Sequence, residues 1–180
     1  YGISPRIRFD VVINMLCGLA LTTNKVTLNS NGKAWRPHLH IEDVCQSFLR
    51  CLDWNPNIGE LIILNVGQNE DNYKVIDIAK IIHSNVESSE LTYLDGMKDF
   101  DRSDLVKDRK IQDGVDTRSY KVSFDKVQET LPGFECKWTV ESGIKNLLDE
   151  LKEIDLNNDT FNKREFYRLQ QIEFLHQTHQ

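Results

Sequence analysis

The chain has 180 residues, with 22 basic and 28 acidic side chains, a formal net charge of −6 and a pI near 5.4, so it offers no general basic face to a nucleic-acid backbone. Its 39% hydrophobic content is enough to bury the core of one domain, or of a domain with an appendage. The longest apolar stretch, residues 9–21, is too short to cross a bilayer and contains Asp10 and Asn14; with no signal-peptide zones at the N-terminus, no membrane partner and a cytoplasmic location are expected.

Phe9, Val12, Ile13, Leu16 and Ala20 recur at helical spacing, which predicts a helix ending at the Thr22-Thr23-Asn24 cluster. A short strand is expected over 25–29, and a Ser-Asn-Gly-Lys turn then leads into NGKAWRPHLHIEDVCQSFL at 31–49. Within it Val44, Cys45, Phe48, Leu49 and Leu52 share one side of a helix, taken as the buried side. Glu42 and Asp43 then fall in the first turn, where carboxylates are favoured beside unpaired backbone amides. Arg36, His38 and His40 lie outside that explanation.

The helix should stop near Asn55-Pro56, because proline disfavours helix at the residue before it. LIILNV at 61–66 reads as a strand buried on both faces. Asn72 is placed to cap a helix whose inward stripe is Val75, Ile78, Ala79 and Ile82, and a further strand is expected at 90–94. Residues 95–115 are rich in charge and poor in apolar side chains, the composition of a mobile surface loop.

Order resumes at DTRSYKVSF, followed by a short helix ending at Leu131-Pro132-Gly133 and a longer one in which Thr139 caps Val140, Ile144, Leu147, Leu148 and Leu151. Residues 161–177 carry Phe166, Leu169, Ile172 and Phe174 in a weak pattern suited to docking on another surface. Cys17, Cys45, Cys51 and Cys136 form no C-x-x-C pair and are expected to be buried free thiols. His38 and His40 with Asp43 supply too few ligands for zinc, so no metal site is expected. Helices alternating with strands indicate an α/β chain. Only one strand reads as fully buried, however, where a doubly wound domain needs several, so the chain reads as a piece of a larger protein.

Four motifs then occur in a telling order: Y-G-x-S-P-R-x-R-F-D at the start, R-P-x-x-H-x-x-D-V beginning at Arg36, N-V-G beginning at Asn65, and D-x-R-S-Y-K-V beginning at Asp116. Together with T-V-E-S-G-I-K beginning at Thr139, they resemble the extended short-chain dehydrogenase/reductases, in particular the NAD-dependent epimerase/dehydratase group that acts on nucleotide sugars. The resemblance covers residues 1–151. Absent from the chain are the family's glycine-rich phosphate turn and its Tyr-x-x-x-Lys pair, both of which lie upstream of the Y-G motif.

The resemblance therefore implies the C-terminal, substrate-binding portion of a Rossmann-type fold, without the nucleotide-binding half. No catalytic residue is expected in this chain, and NAD(P) would be held mainly by the other half. Residues 95–115 would be an insert, and 152–180 a helical C-terminal tail. Arg36 stands where the family's arginine reaches the substrate diphosphate, a role suited to a planar, permanently charged fork; a surface ion pair is the alternative. Arg118 is a second candidate for the nucleotide, with a structural pair equally open. Thr27 and Asn29 align with residues along the base or ribose, and Tyr1 borders the cofactor pocket. The implied partner is a nucleotide sugar, and a homodimer of the full-length protein is compatible with the family. Two other readings remain open: a stand-alone non-catalytic binding module, and a short-chain reductase or dehydratase acting on a non-sugar carbonyl compound.

Overall fold

The computed structural model describes residues 1–55, 59, 61–94 and 118–178, so the expected loop at 95–115 lies outside the described residues. In chain order the elements are α1 (Val12–Thr23), β1 (Lys25–Leu28), β2 (Trp35–Pro37), α2 (Ile41–Asp53), β3 (Asn72–Lys74), α3 (Val75–Asn85), β4 (Glu90–Tyr93), α4 (Asp125–Thr130), α5 (Val140–Glu153), α6 (Asn158–Phe161) and α7 (Arg168–Thr178). Single 3-10 turns stand at Asn69–Asp71 and Arg164–Phe166.

The core forms where three apolar stripes meet. Ile13, Leu16, Cys17 and Ala20 of α1 pack with Ile78, Ala79 and Ile82 of α3 and with Val140, Ile144, Leu147, Leu148 and Leu151 of α5. Each stripe follows the period expected from the sequence. α1 ends at Asn24, whose left-handed backbone (φ 55°) is one that asparagine tolerates. α5 begins with the Thr139 cap, completed by Ser142 as a capping box. β1 runs parallel to β4 with Val26 opposite Leu91, and β2 runs antiparallel to β3 with Arg36 opposite Tyr73, which makes the described chain α/β. Phe124, Val127, Leu131 and Phe134 make a smaller cluster, against which Trp54, Leu64 and Val66 pack. No described helix is long and apolar enough to cross a membrane.

Several sequence expectations need correction. The apolar side of α2 faces outward: Phe48, Leu49 and Leu52 are 69%, 63% and 82% exposed, while Asp43 and Ser47 are the buried residues of the helix. The cause is hydrogen bonding. The Asp43 carboxylate accepts from the amides of Lys137 and Trp138 at 2.9 and 3.2 Å, and Gln46 accepts from the amide of Glu135, so the polar side is seated on 135–138. Successive helical residues are turned by about 100°, which sends Cys45, Phe48 and Leu52 to the opposite side. For that reason Cys45 is exposed, and Cys51 is exposed near the end of the helix; all four thiols are free, and only Cys17 is fully buried.

LIILNV is not a paired strand. Its exposure alternates as a strand's would, with Leu64 and Val66 packed inward and Leu61 and Ile63 open, but no strand pairs with it among the described residues. Asn72 lies in β3 and does not cap α3; its side chain bonds both the amide and the carbonyl of Val122 at 2.9 Å. The first amides of α3 are satisfied instead by the carbonyls of Ala34 and Gly32. β2 and β3 escaped the sequence reading because strands of three residues carry no readable period.

The start of the tail belongs to the core. Phe161 is buried edge-on against Phe9 at 4.8 Å, and its ring lies directly over Gly18 of α1. A Cβ on Gly18 would collide with that ring, so overpacking (about 1–3 kcal/mol) should outweigh the gain in helix propensity (about 1 kcal/mol). Urea denaturation of Gly18→Ala is expected to show a net loss of stability, partly recovered when Phe161→Leu is added. A more stable Gly18→Ala protein would mean that the tail is not seated there.

Candidate functional site

Arg36 sits in the middle of β2, and three segments converge around it. β3 lies on one side, with Tyr73 opposite Arg36 and Lys74 opposite Trp35. Residues 119–120 lie on the other: the Trp35 amide donates to Ser119 Oγ at 3.1 Å, and the Tyr120 amide donates to the Trp35 carbonyl at 3.3 Å. The Arg36 guanidinium lies 5.2 Å from the centre of the Tyr120 ring and donates through Nη1 to the Trp35 carbonyl at 2.8 Å. The Trp35 ring has Lys121 Nζ at 3.8 Å and Lys74 Nζ at 5.3 Å from its centre. Alternation along β2 sends these groups to opposite faces: Arg36 lies with Tyr120 and with Tyr73, whose hydroxyl donates to Glu141 at 2.6 Å, while Trp35 lies with Lys74 and Lys121. Each face thus sets a cation beside an aromatic ring, and on the Arg36 face a guanidinium next to a tyrosine is chemistry suited to phosphate oxygens beside a planar group.

Next to β2 is a polar framework. The His38 amide donates to the Asp71 carbonyl at 3.0 Å, and Gln68 donates to the Asp71 carboxylate at 2.9 Å. His40 caps α2 by accepting from the Glu42 amide, stacks on Trp138 at 4.3 Å and meets the edge of Tyr1. Trp138 in turn donates from its indole to Glu42 at 2.9 Å. Burial pushes the imidazole of His38 down to about 4, reinforced by the N-terminal amine and Arg36. Burial likewise raises the Asp71 carboxyl to about 6, partly opposed by the hydrogen bond from Gln68. His38 and His40 are therefore neutral packing groups that lead into the helix; among the described residues no three His, Cys, Asp or Glu side chains gather as metal ligands.

The structure brings together Arg36 and the segment that begins with Arg118. Thr27 is in the other sheet, where its hydroxyl bonds that of Thr92 across β1 and β4 at 2.9 Å, and Asn29 follows β1. Tyr1 is half-buried: its amine donates to the Leu39 carbonyl, its hydroxyl donates to the Thr139 carbonyl, and its ring lies on Gly143. Trp35, Lys74, Tyr120 and Lys121 were not singled out from the sequence. Only the β2–β3 register and the bonds from Trp35 to 119–120 make them neighbours, and neither feature has a local signature.

A dinucleotide needs a backbone cradle that its pyrophosphate can enter. Of the positive-φ glycines described, Gly2, Gly32 and Gly67 are closed by His40, Ile76 and the ring of Phe124; Gly59 and Gly133 are not closed, but each stands alone in the sequence and belongs to no glycine-rich turn. These residues do not fit NAD as a primary site.

No family model matches the chain, and no curated protein does. Solved structures match well. The NAD-dependent NDP-hexosamine 5,6-dehydratase TunA of tunicamycin biosynthesis aligns with TM-score 0.65 at 16% identity, over 87% of this chain and 44% of its own. The UDP-glucuronic acid 4-epimerase of Bacillus cereus, solved with UDP-glucuronic acid and NAD, gives 0.61 at 20%, over 86% and 43%. The UDP-glucose 4-epimerase of Thermotoga maritima, solved with UDP-glucose, gives 0.64 at 19%, over 86% and 43%. The chain thus shares the fold of part of the NAD-dependent nucleotide-sugar epimerases and dehydratases, and it spans less than half the length of these structures.

His38 makes the polar framework measurable. With its folded value near 4 and an unfolded value of 6.5, the unfolded chain binds the extra proton between those limits, so this contribution is complete above 6.5 and is lost as pH falls toward 4. Asp71, raised to about 6 from 3.8, acts with the opposite sign over nearly the same window. In urea unfolding of wild type and His38→Gln, the stability difference in favour of wild type is expected to shrink by on the order of 3 kcal/mol between pH 7 and pH 4. A difference independent of pH would show that His38 is not held neutral.

Proposed function

We propose that the chain is the substrate-binding portion of an NAD-dependent nucleotide-sugar epimerase or dehydratase, with Arg36 gripping the substrate diphosphate. The observation that carries this is the Arg36 guanidinium set beside the Tyr120 ring, found in a fold whose solved counterparts include complexes with UDP-sugars. Guanidinium bonds phosphate oxygens bidentately, and the Tyr120 ring beside it limits the rotamers it loses on binding. Arg118 supplies a second cation to the same nucleotide. Thr27 and Asn29 lie along the base or ribose, and Tyr1 borders the cofactor while tying the first residue to α2 and α5.

Residues 1–151 form the substrate-binding portion in this reading, and 152–180 form a tail that closes the core. Hydride chemistry belongs to the cofactor held by the other portion of the enzyme, and this chain contributes no proton donor or acceptor to it. Its task is to hold the diphosphate so that the sugar is presented in one orientation.

In the complete polypeptide that contains this chain, Arg36→Ala is expected to weaken nucleotide-sugar binding by about 1.5–3 kcal/mol, the range for hydrogen bonds to charged groups, or roughly tenfold to hundredfold in Kd. Calorimetric titration would read it. Arg36→Lys should recover only part, because it restores charge without the fork, and NAD affinity should stay unaltered. Unchanged nucleotide-sugar affinity in a folded Arg36→Ala protein would reduce Arg36 to a structural partner of Trp35 and Tyr120.

A further inference from the structure

Residues 118–124 are fastened at two points of unequal strength. Val122 donates from its amide to Asn72 Oδ1 and accepts at its carbonyl from Asn72 Nδ2, both at 2.9 Å, and the Phe124 amide donates to Asn69 Oδ1 at 2.9 Å. The side chains of Val122 and Phe124 also pack in the smaller apolar cluster. Residues 118–121 are exposed, and Trp35 holds them: its amide donates to Ser119 Oγ at 3.1 Å, and its carbonyl accepts from the Tyr120 amide at 3.3 Å. An ordinary backbone bond is about 2.9–3.0 Å long, so the second of these is weak. Exposed backbone bonds with little apolar packing are the ones that open while the rest of a fold stays shut. The grip on Val122 puts the hinge of such an opening at 121–122.

One further contact crosses that opening. Lys121 Nζ stands 3.8 Å from the centre of the Trp35 ring, a contact made only while 118–121 lie against β2. Lys74 Nζ, 5.3 Å from the same ring, belongs to β3 and keeps its place whether 118–121 are open or shut. Trp35 and Arg36 point to opposite faces of β2, and Lys121 and Tyr120 divide between the same two faces. We propose that Lys121 and the Trp35 ring are a latch: on one face of β2 they hold 118–121 shut, and so keep the Tyr120 ring beside the Arg36 guanidinium, 5.2 Å from it, on the other. Neither latch residue reaches a diphosphate at Arg36. Both are positioning residues for it, and that part of the inference rests on the function proposed above. A cation over an exposed indole favours the closed arrangement by about two- to fivefold.

The test takes two readouts on the complete polypeptide that contains this chain: deuterium exchange of peptides covering 118–122 without ligand, and calorimetric titration with a panel of UDP-, dTDP-, GDP-, CDP- and ADP-glucose. Lys121 is exposed, so Lys121→Met should keep the circular-dichroism melt of wild type. Lys121→Met is expected to speed exchange at 118–121 about two- to fivefold and to raise Kd for the nucleotide sugar that binds by a similar factor. Lys121→Arg, which restores a cation over the ring, should return both to wild type. Trp35→Leu should reproduce Lys121→Met, and the double variant should be no worse than Trp35→Leu, because the two act as one contact. Lys74→Met should alter neither readout. Exchange in Lys121→Met equal to wild type overturns the latch. Equal weakening of binding by Lys74→Met and Lys121→Met, with exchange unchanged, overturns it in favour of two charges acting at a distance. Faster exchange with unaltered nucleotide-sugar affinity overturns the positioning role. If exchange responds as expected but wild type binds no member of the panel, the function and the positioning role fall while the latch stands.

Discussion

One buried carboxylate holds the parts of this chain in place. Asp43 is almost fully removed from water, where an unpaired charge would cost several kcal/mol. It is compensated by the amides of Lys137 and Trp138 and by its position in the first turn of α2. The two bonds fix the strand-like approach to α5, and the ring of Trp138 then lands on His40 with its indole on Glu42. Thr139 follows at once as the cap of α5, and Tyr1 bonds its carbonyl. Residues as far apart as Tyr1 and Thr139 therefore share one polar knot. Each member is satisfied by hydrogen bonds except the Nε2 atoms of His38 and His40, whose neutrality is what burial demands.

The same carboxylate explains why the most amphipathic helix was read backwards. Periodicity reports which side of a helix is apolar, and the inference that this side faces inward assumes that nothing else can be buried there. Asp43 was legible as a first-turn acid, for which the helix N-terminus is a sufficient reason. Its second role, as acceptor for amides more than ninety residues away, has no local trace. α1, α3 and α5 were legible because their stripes have no such competitor, and the Thr139 cap because the motif that sets it is contiguous. LIILNV failed for a related reason: composition and alternation make a segment ready for a sheet, but a strand exists only where a partner supplies the other half of its hydrogen bonds.

The candidate site divides along the same line. The position of Arg36 was legible through a resemblance that rests on contiguous residues, and the chemistry of guanidinium gave that position meaning. Its surroundings were not legible. Tyr120 and Lys121 reach β2 after a separation of more than eighty residues, and Lys74 reaches Trp35 through the register of two three-residue strands. A net charge of −6 would also have argued against a phosphate site, had it been read as a property of every surface. At physiological ionic strength exposed charges more than about 8 Å apart are largely screened, so a phosphate beside Arg36 would respond chiefly to its near neighbours, among them Glu141, which Tyr73 holds.

Arg36 and α2 belong to one continuous segment, and this constrains how a ligand at Arg36 would be held relative to the helix. Between the end of β2 at Pro37 and the start of α2 at Ile41 there are three residues, each held at its backbone or ring: the His38 amide by Asp71, the Leu39 carbonyl by the amine of Tyr1, and His40 by Trp138 and the amide of Glu42. Such a connection has little freedom. A diphosphate gripped at Arg36 would then stand at a fixed distance and angle from α2. Binding energy gained at a remote, unreacting group assists a reaction only when it is transmitted as orientation at the reacting carbon. In the function proposed, the stiffness of the Arg36-to-α2 segment is what transmits it: substrate is held at one end, and the buried Asp43 keeps the helix at the other end from turning.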